Sequence, residues 1–354
     1  MTNNITYYLG AGASANAIPV VEHFNEAIEI SKNRLYSLKK NKARGDDFDY
    51  EISFDDSNKG DNYREKTKGL MDDFEKVLAG LRTMHSIDTL AKSYYVKYGS
   101  QSTEYKTIKK VISIYLIWEQ LIGRGNYAER EKRFSQLIAY YIDPTSRKIP
   151  ANVRFLSWNY DSQLQLAMKE FLPNDSTLHK LISEDLISYP QSHFNDIDED
   201  AIQAVHLNGF ASCGYNKEKE ISFPDISNLS SIDVSRVMKK TLDTFFPNEE
   251  ENFCETVRFA WDFDNENAFG AKSVRIAKNI AAKTNTLIII GYSFPAYNRE
   301  VDREIINEMQ AFGNLKKIIF CDPNLTEEIL RQELSIDQDI SIEKHKNLNQ
   351  FPLI

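Results

Sequence analysis

The chain has 354 residues, 42% hydrophobic and 12% aromatic. It is too apolar for a disordered polymer and long enough for one large domain with an insertion or for two smaller ones. The formal net charge of −9 removes any default expectation of direct nucleic-acid binding. Cys213, Cys254 and Cys321 form no C-x-x-C pair, so neither a zinc ribbon nor a disulfide framework is supported, and a reducing, cytoplasmic setting is expected.

The opening MTNNITYYLGAG has neither a basic start nor a long apolar stretch, so no signal peptide is expected. ITYYL (5–9) reads as a first strand and runs into YYLGAGASANAIP (7–19), with a helical pattern over roughly 20–40. Glycines let backbone amides approach a phosphate, and a helix N-terminus favours an anion, but the third glycine of a dinucleotide fingerprint is absent. A tight turn and a cofactor loop are both open readings of this stretch.

Residues 31–149 read as a helical insertion, with patterns at about 67–97, 103–123 and 128–142. Its most apolar segment, VISIYLIWEQLIG (111–123), carries Glu119 and is too short to span a bilayer, so no membrane partner is expected. KNRLYSLKKNKAR (32–44) holds six basic residues and DDFDYEISFDD (46–56) six acidic ones. They read as a solvated helix end and loop, or as a docking surface or cover over a site. DPTSRKIP (143–150) is a turn-rich return.

Further strands are read at VRFLSW (153–158), AIQAVHL (201–207), TLIII (286–290) and KKIIFC (316–321), with a sixth at ISIEKH (340–345). Near-continuous apolar runs such as the fourth and fifth are how strands covered on both faces of a parallel sheet read. Helical patterns follow at about 160–171, 270–283, 299–312 and 325–334. The alternation predicts a Rossmann-like α/β fold with a parallel sheet, built from 1–30 and 150–354, interrupted by the helical insertion.

In an open parallel sheet, ligands bind at the carboxyl ends of the strands. Here those ends carry Gly10–Ser14, Asn159-Tyr160-Asp161, His206-Leu207-Asn208-Gly209, Gly291-Tyr292-Ser293 and Asp322-Pro323-Asn324. Each has a plainer reading. Asn159 or Asp161 serves as a helix cap, Gly291–Ser293 as a strand exit, Asp322-Pro323 as a turn initiator, and His206 as a bonded core residue. Five such ends in one chain are hard to attribute to solvation alone.

GAGAS (10–14) with Ile18-Pro19, WNYD (158–161), HLNG (206–209) and GYS (291–293) occur in the order seen in sirtuin-like proteins. The set most resembles the bacterial sirtuin-like domain proteins of antiphage defence. The resemblance implies an NAD glycohydrolase that yields ADP-ribose and nicotinamide, acts in abortive infection, and needs no metal. Homo-oligomerisation or a regulatory partner protein, an ATPase or a short Argonaute, is implied as control. Carried over, Gly10, Ala11, Gly12 and Ser14 cradle the pyrophosphate. Asn159 holds the nicotinamide ribose or its water, and Asp161 binds the carboxamide. Gly291 and Ser293 meet the adenosine side, and Asp322 and Asn324 lie near the adenine. Pro19 and Tyr160 are further cofactor contacts. The Ile-Pro-Asp-Phe-Arg run of the classical sirtuins is replaced by Ile18-Pro19-Val20-Val21-Glu22, and their four-cysteine zinc module is missing, which disfavours a protein deacylase.

The family's catalytic histidine directly precedes a glycine, and a gapless match puts Asn208 there. An amide orients a water but accepts no proton from it. Three explanations stand: His206 serves from two residues upstream, Asn208 is an engineered replacement that traps NAD, or the protein is a weakened member or a non-enzymatic NAD or ADP-ribose sensor.

Overall fold

The computed structural model describes residues 3–19, 24–40, 60–84, 86–122, 129–173, 180–190, 198–211, 214–215, 234–246, 254–262 and 269–354. The acidic run at 46–56 lies outside them, as do His23, His85, His179 and His193.

Seven strands form one parallel sheet. They are β1 (Ile5–Leu9), β2 (Val153–Ser157), β3 (Ser188–Tyr189), β4 (Ala204–His206), β7 (Thr286–Ile290), β8 (Lys317–Cys321) and β9 (Ser341–Lys344), in the order β3-β4-β2-β1-β7-β8-β9. A separate antiparallel pair joins β5 (Gly214–Tyr215) to β6 (Cys254–Glu255). The chain moves outward from β1 through β2 to β4, returns past β1 to β7, and moves outward again through β8 and β9. The reversal falls between β1 and β7, and in doubly wound sheets the carboxyl ends of the strands at such a switch point are where ligands bind. Register fixes that edge: Leu9 lies level with Ser157 and with Ile290, and Ser157 with His206.

Both faces are covered, which is why β1 and β7 are buried at every position. Tyr7, Leu9 and Phe155 share one apolar cluster with helices that lie between β1 and β2. These are α1 (Phe24–Lys40), α2 (Gly60–Leu81), α3 (Ile87–Tyr98), α4 (Thr103–Leu121) and α5 (Lys132–Tyr141). The same cluster takes in α6 (Gln163–Lys169) and α7 (Val234–Phe245). Alternate strand positions, Tyr8, Leu156 and Leu287 among them, face a second cluster. It is closed by α8 (Phe269–Ala281), α9 (Arg299–Ala311) and α10 (Glu327–Leu334). From Val111 to Leu121, α4 is buried at every position among the other helices. Among the described residues, no helix is long and apolar enough to cross a membrane.

Several boundaries differ from the sequence reading. The pattern at 67–97 is two helices, broken at 82–86, where Ser86 caps α3 by accepting from the Thr89 amide at 3.2 Å. The strand read at 201–207 is confined to Ala204–His206, because Glu199–Ala201 forms a 3-10 turn. The helix expected over 20–40 is described from Phe24. β3, β5, β6 and α7 carry no counterpart in that reading.

Candidate functional site

The site is built where β1 and β7 leave the sheet in opposite directions. After β1, Ala11–Ser14 close a 3-10 turn. Gly10 donates its amide to Ile290 O at 3.0 Å and Gly12 donates to Gly291 O at 2.9 Å. A Cβ on Gly12 would sit 2.7 Å from Gly291 Cα, and one on Gly291 would sit 2.3 Å from the Gly12 carbonyl carbon. Gly291 also has φ +56, in the left-handed region. The glycines therefore serve first to lock two loops together, and the amides of Gly10, Gly12 and Ala13 are already bonded to protein carbonyls. Ala11 is exposed at the tip of the turn.

Asn159, one residue beyond Trp158 at the end of β2, is buried. Its Nδ2 donates to Gly10 O at 2.9 Å and to Ser14 Oγ at 3.3 Å, so it fastens the β2 end to the turn after β1. Its Oδ1 makes no hydrogen bond among the described residues. Asp161 accepts from the Gln163 amide at 2.9 Å, so it caps α6 as well as lying at the rim. Burial pushes its carboxyl up to about 6, against the pull of the Gln163 amide and the Ser14 hydroxyl, with nearby Glu131 adding to the rise. The Tyr160 ring leaves this group and meets Phe259 edge-on at 6.3 Å, and its buried hydroxyl has no hydrogen-bond partner among the described residues.

The strand ends at His206, and Leu207 and Asn208 form a turn closed by the Gly209 amide donating to His206 O at 3.1 Å, so the two-residue alternation does not carry from His206 to Asn208. His206 is 2% exposed. Its Nδ1 lies 3.0 Å from Asn159 O and its Nε2 lies 2.9 Å from Gln165 Nε2. The arrangement is satisfied by a neutral ring that donates from Nδ1 and accepts at Nε2. Burial pushes its pKa down to about 4, opposed by the Asn159 carbonyl. Asn208 is buried, and its side chain has no hydrogen-bond partner among the described residues. Its carbonyl accepts from the Arg258 amide at 2.8 Å. Gly209, at φ +79, passes so close to Thr256 O that a Cβ would lie 1.8 Å from it.

On the β7 and β8 side, Ser293 and Asn324 are exposed and Pro19 is half-buried. Asp322 accepts from the amides of Asn324 at 2.8 Å and Leu325 at 3.1 Å, which is the turn-initiating role. The rim thus gathers Gly10–Ser14, Asn159, Asp161 and Gly291 through bonds and register, while Asn208 is tied among the described residues only to Arg258, Tyr160 turns aside and Asp322 is spent on its own turn.

Two residues absent from the sequence reading brace the turn. Glu131 accepts from the Asn16 amide and from its Nδ2, each at 3.1 Å. Arg133 binds Glu131 Oε2 at 2.6 Å and reaches Gly12 O at 3.2 Å. Both are buried, and Arg133 also lies over the Phe351 ring at 4.8 Å. Nothing in EREKR (129–133) marks this pair as different from a solvated charge run. A hollow at the opposite, amino edge is lined by Asn4, Arg154, Glu199, Asp200 and Lys283. Its charges are matched within the chain, Lys283 to Asp200 at 2.5 Å and Glu199 to Arg275 at 2.5 Å. Among the described residues, no group of three or more His, Cys, Asp and Glu is placed to hold a metal ion.

Fold and rim together define a doubly wound α/β protein with polar residues gathered at its switch point. No family model matches the chain, and no curated protein matches it. Solved structures similar to it include two Sir2 complexes. One is a Sir2 His-to-Ala variant with deacetylated p53 peptide and 3'-O-acetyl ADP-ribose, 11% identical, TM-score 0.42. The other is Sir2 with the inhibitor EX-527, 2'-O-acetyl-ADP-ribose and deacetylated p53 peptide, 12% identical, TM-score 0.38. Each match covers 98% of this chain and 89% of the other. At such scores neither carries a residue role or an activity. The fold class stands on the strand order and register.

Proposed function

We propose that the chain is an NAD glycohydrolase scaffold whose rim takes the dinucleotide across the β1–β7 switch point. The observation that carries this reading is the Asn159 amide, tied at Nδ2 to Gly10 O and Ser14 Oγ while Oδ1 has no protein partner among the described residues. An amide held in this way presents a fixed acceptor to a ribose hydroxyl or a water. In the reaction, the ribose C1'–nitrogen bond breaks and its electron pair goes to the pyridinium ring, which leaves as neutral nicotinamide. A water oxygen bonds to C1' and gives up a proton. Asp161 meets the carboxamide, and the turn at Gly10–Ser14, tip outward at Ala11, meets the pyrophosphate.

Asn208 accepts no proton, and His206 has both ring nitrogens engaged. Turnover by this chain is therefore slow. Asn208→His restores a base and speeds NAD loss by about 10²–10⁴-fold, the usual worth of general-base help. Incubation with NAD followed by chromatography of ADP-ribose and nicotinamide tests this. Equal rates for the chain and for Asn208→His would show that position 208 is not the catalytic one. The same lack of a base favours a second reading, a sensor that binds NAD or ADP-ribose without turnover. Tight binding with no products even from Asn208→His would select it. The abortive-infection role rests on the order of the motifs. It calls for restraint by self-assembly or by a separate partner, with the helices at 31–149 as the contact.

A further inference from the structure

We infer that Asp302 is the positioning residue that fixes the carboxyl ends of β1, β2 and β7 in the register the rim needs. It lies in the first turn of α9 and is wholly buried, on the face of the second cluster. Tyr8 Oη donates to its Oδ1 at 2.5 Å, Trp158 Nε1 donates to the same oxygen at 2.8 Å, and Tyr292 Oη donates to Oδ2 at 2.9 Å. Those three donors come from three separate strand ends. Tyr8 stands two residues before Gly10, Trp158 immediately before Asn159, and Tyr292 immediately after Gly291. A second layer links the donors to one another: Trp158 Nε1 also reaches Tyr8 Oη at 3.0 Å, and Asn298 Nδ2 donates to Tyr292 Oη at 3.2 Å. The rings pack together as well, Trp158 stacked on Tyr292 at 6.2 Å and Tyr8 against Tyr292 at 5.5 Å.

A buried carboxylate is costly unless several donors meet it, and here each donor is delivered by a different loop of the candidate site. Any displacement of one strand end therefore costs one of these buried hydrogen bonds. The three loops move as a unit, or not at all. In the proposed function this unit holds the Gly10–Ser14 turn, the Asn159 amide and Gly291 to the spacing of one extended dinucleotide. This deepening rests on that proposal. The positioning role itself does not.

The test is amide hydrogen exchange at Gly10, Gly12, Asn159 and Gly291 in Asp302→Ala, with Ile305→Ala as control. Ile305 lies on the same helix, is equally buried and packs in the same cluster, so it reports loss of core alone. Exchange at the four rim amides is expected to rise at least tenfold more in Asp302→Ala than in Ile305→Ala, with β8 and β9 alike in both. Asp302→Asn keeps one acceptor oxygen, so it is expected to restore protection at Gly10 and Asn159. It also carries the test if Asp302→Ala fails to fold. The NAD dissociation constant is expected to rise at least tenfold in Asp302→Ala and little in Ile305→Ala. If the unaltered chain binds no NAD, the proposed function falls and the exchange rates alone decide the role of Asp302. Identical exchange patterns in the two alanine variants would overturn it.

Discussion

Gly291→Ala probes the interlock between the two loops at the switch point. The added Cβ would lie 2.3 Å from the Gly12 carbonyl carbon, 2.4 Å from Gly12 Cα and 2.5 Å from the Ala13 nitrogen. Ordinary carbon contacts sit at about 3.5–4.0 Å, so the loops must part by roughly 1 Å. Overpacking of this kind costs about 1–3 kcal/mol. Holding a non-glycine residue at φ +56 adds about 1–2 kcal/mol. Gly313→Ala separates the two contributions, because Gly313 has φ +61 and nothing within 4 Å of its Cβ position. Urea unfolding should place Gly291→Ala about 2–5 kcal/mol below the unaltered chain and Gly313→Ala only about 1–2 kcal/mol below it. A 1 Å displacement of a binding loop is also enough to cost about 10²-fold in any activity the rim carries. Equal stability losses at the two glycines would refute the loop contact.

Three further predictions follow from the buried polar groups. Glu131→Leu or Arg133→Leu alone leaves a buried charge unpaired and should cost about 3–5 kcal/mol by urea unfolding, whereas the double variant should cost less than either. Equal or larger losses in the double variant would show that the pair acts by more than mutual neutralisation. Tyr160→Phe removes a buried hydroxyl with no partner among the described residues and should be neutral or stabilising by about 1 kcal/mol in thermal unfolding; a clear loss would reveal a partner for that hydroxyl. The pH dependence runs in two directions. Burial pushes Asp302 up to about 7 from 3.8, so the folded state binds the proton more tightly and stability falls as pH rises through that window. His206 is pushed down to about 4 from 6.5, so its contribution is present above 6.5 and lost as pH falls toward 4. Between about pH 4 and 7 the slope of stability against pH should therefore turn more positive in Asp302→Asn and more negative in His206→Gln. An unchanged slope in either variant would remove that group from the balance.

The strands that carry the switch point were legible because two-sided burial leaves a plain mark. TLIII and KIIFC are apolar at almost every position, and β7 and β8 fall there. β3 is two residues long and has no pattern to read. β5 and β6 pair across a long stretch of chain, and pairing of that kind leaves no local trace. The helical stretch at 67–97 was read through its break because the interruption at 82–86 contains neither Gly nor Pro. At the rim, glycines and amides after strands stand out in the sequence, since polar residues there break the apolar runs abruptly. Their local jobs were hidden. Gly12 and Gly291 face each other only once the sheet is assembled, and His206 is sealed by Gln165, 41 residues away. Asp302 was invisible for a different reason. In REVDREIINEMQA it is one acid among several, and only the packing of α9 on three aromatic strand ends sets it apart.

The central claim, that NAD binds across the carboxyl rim between β1 and β7, is tested most directly by calorimetric titration of NAD into the unaltered chain, Ser293→Trp and Lys283→Ala. Ser293 is exposed beside Gly291, so the indole adds bulk at the rim without disturbing the core, and Lys283 lies at the opposite edge. We expect one NAD bound per chain, at least tenfold weaker in Ser293→Trp and unchanged in Lys283→Ala. No binding to the unaltered chain, or equal affinity in all three proteins, would contradict the account.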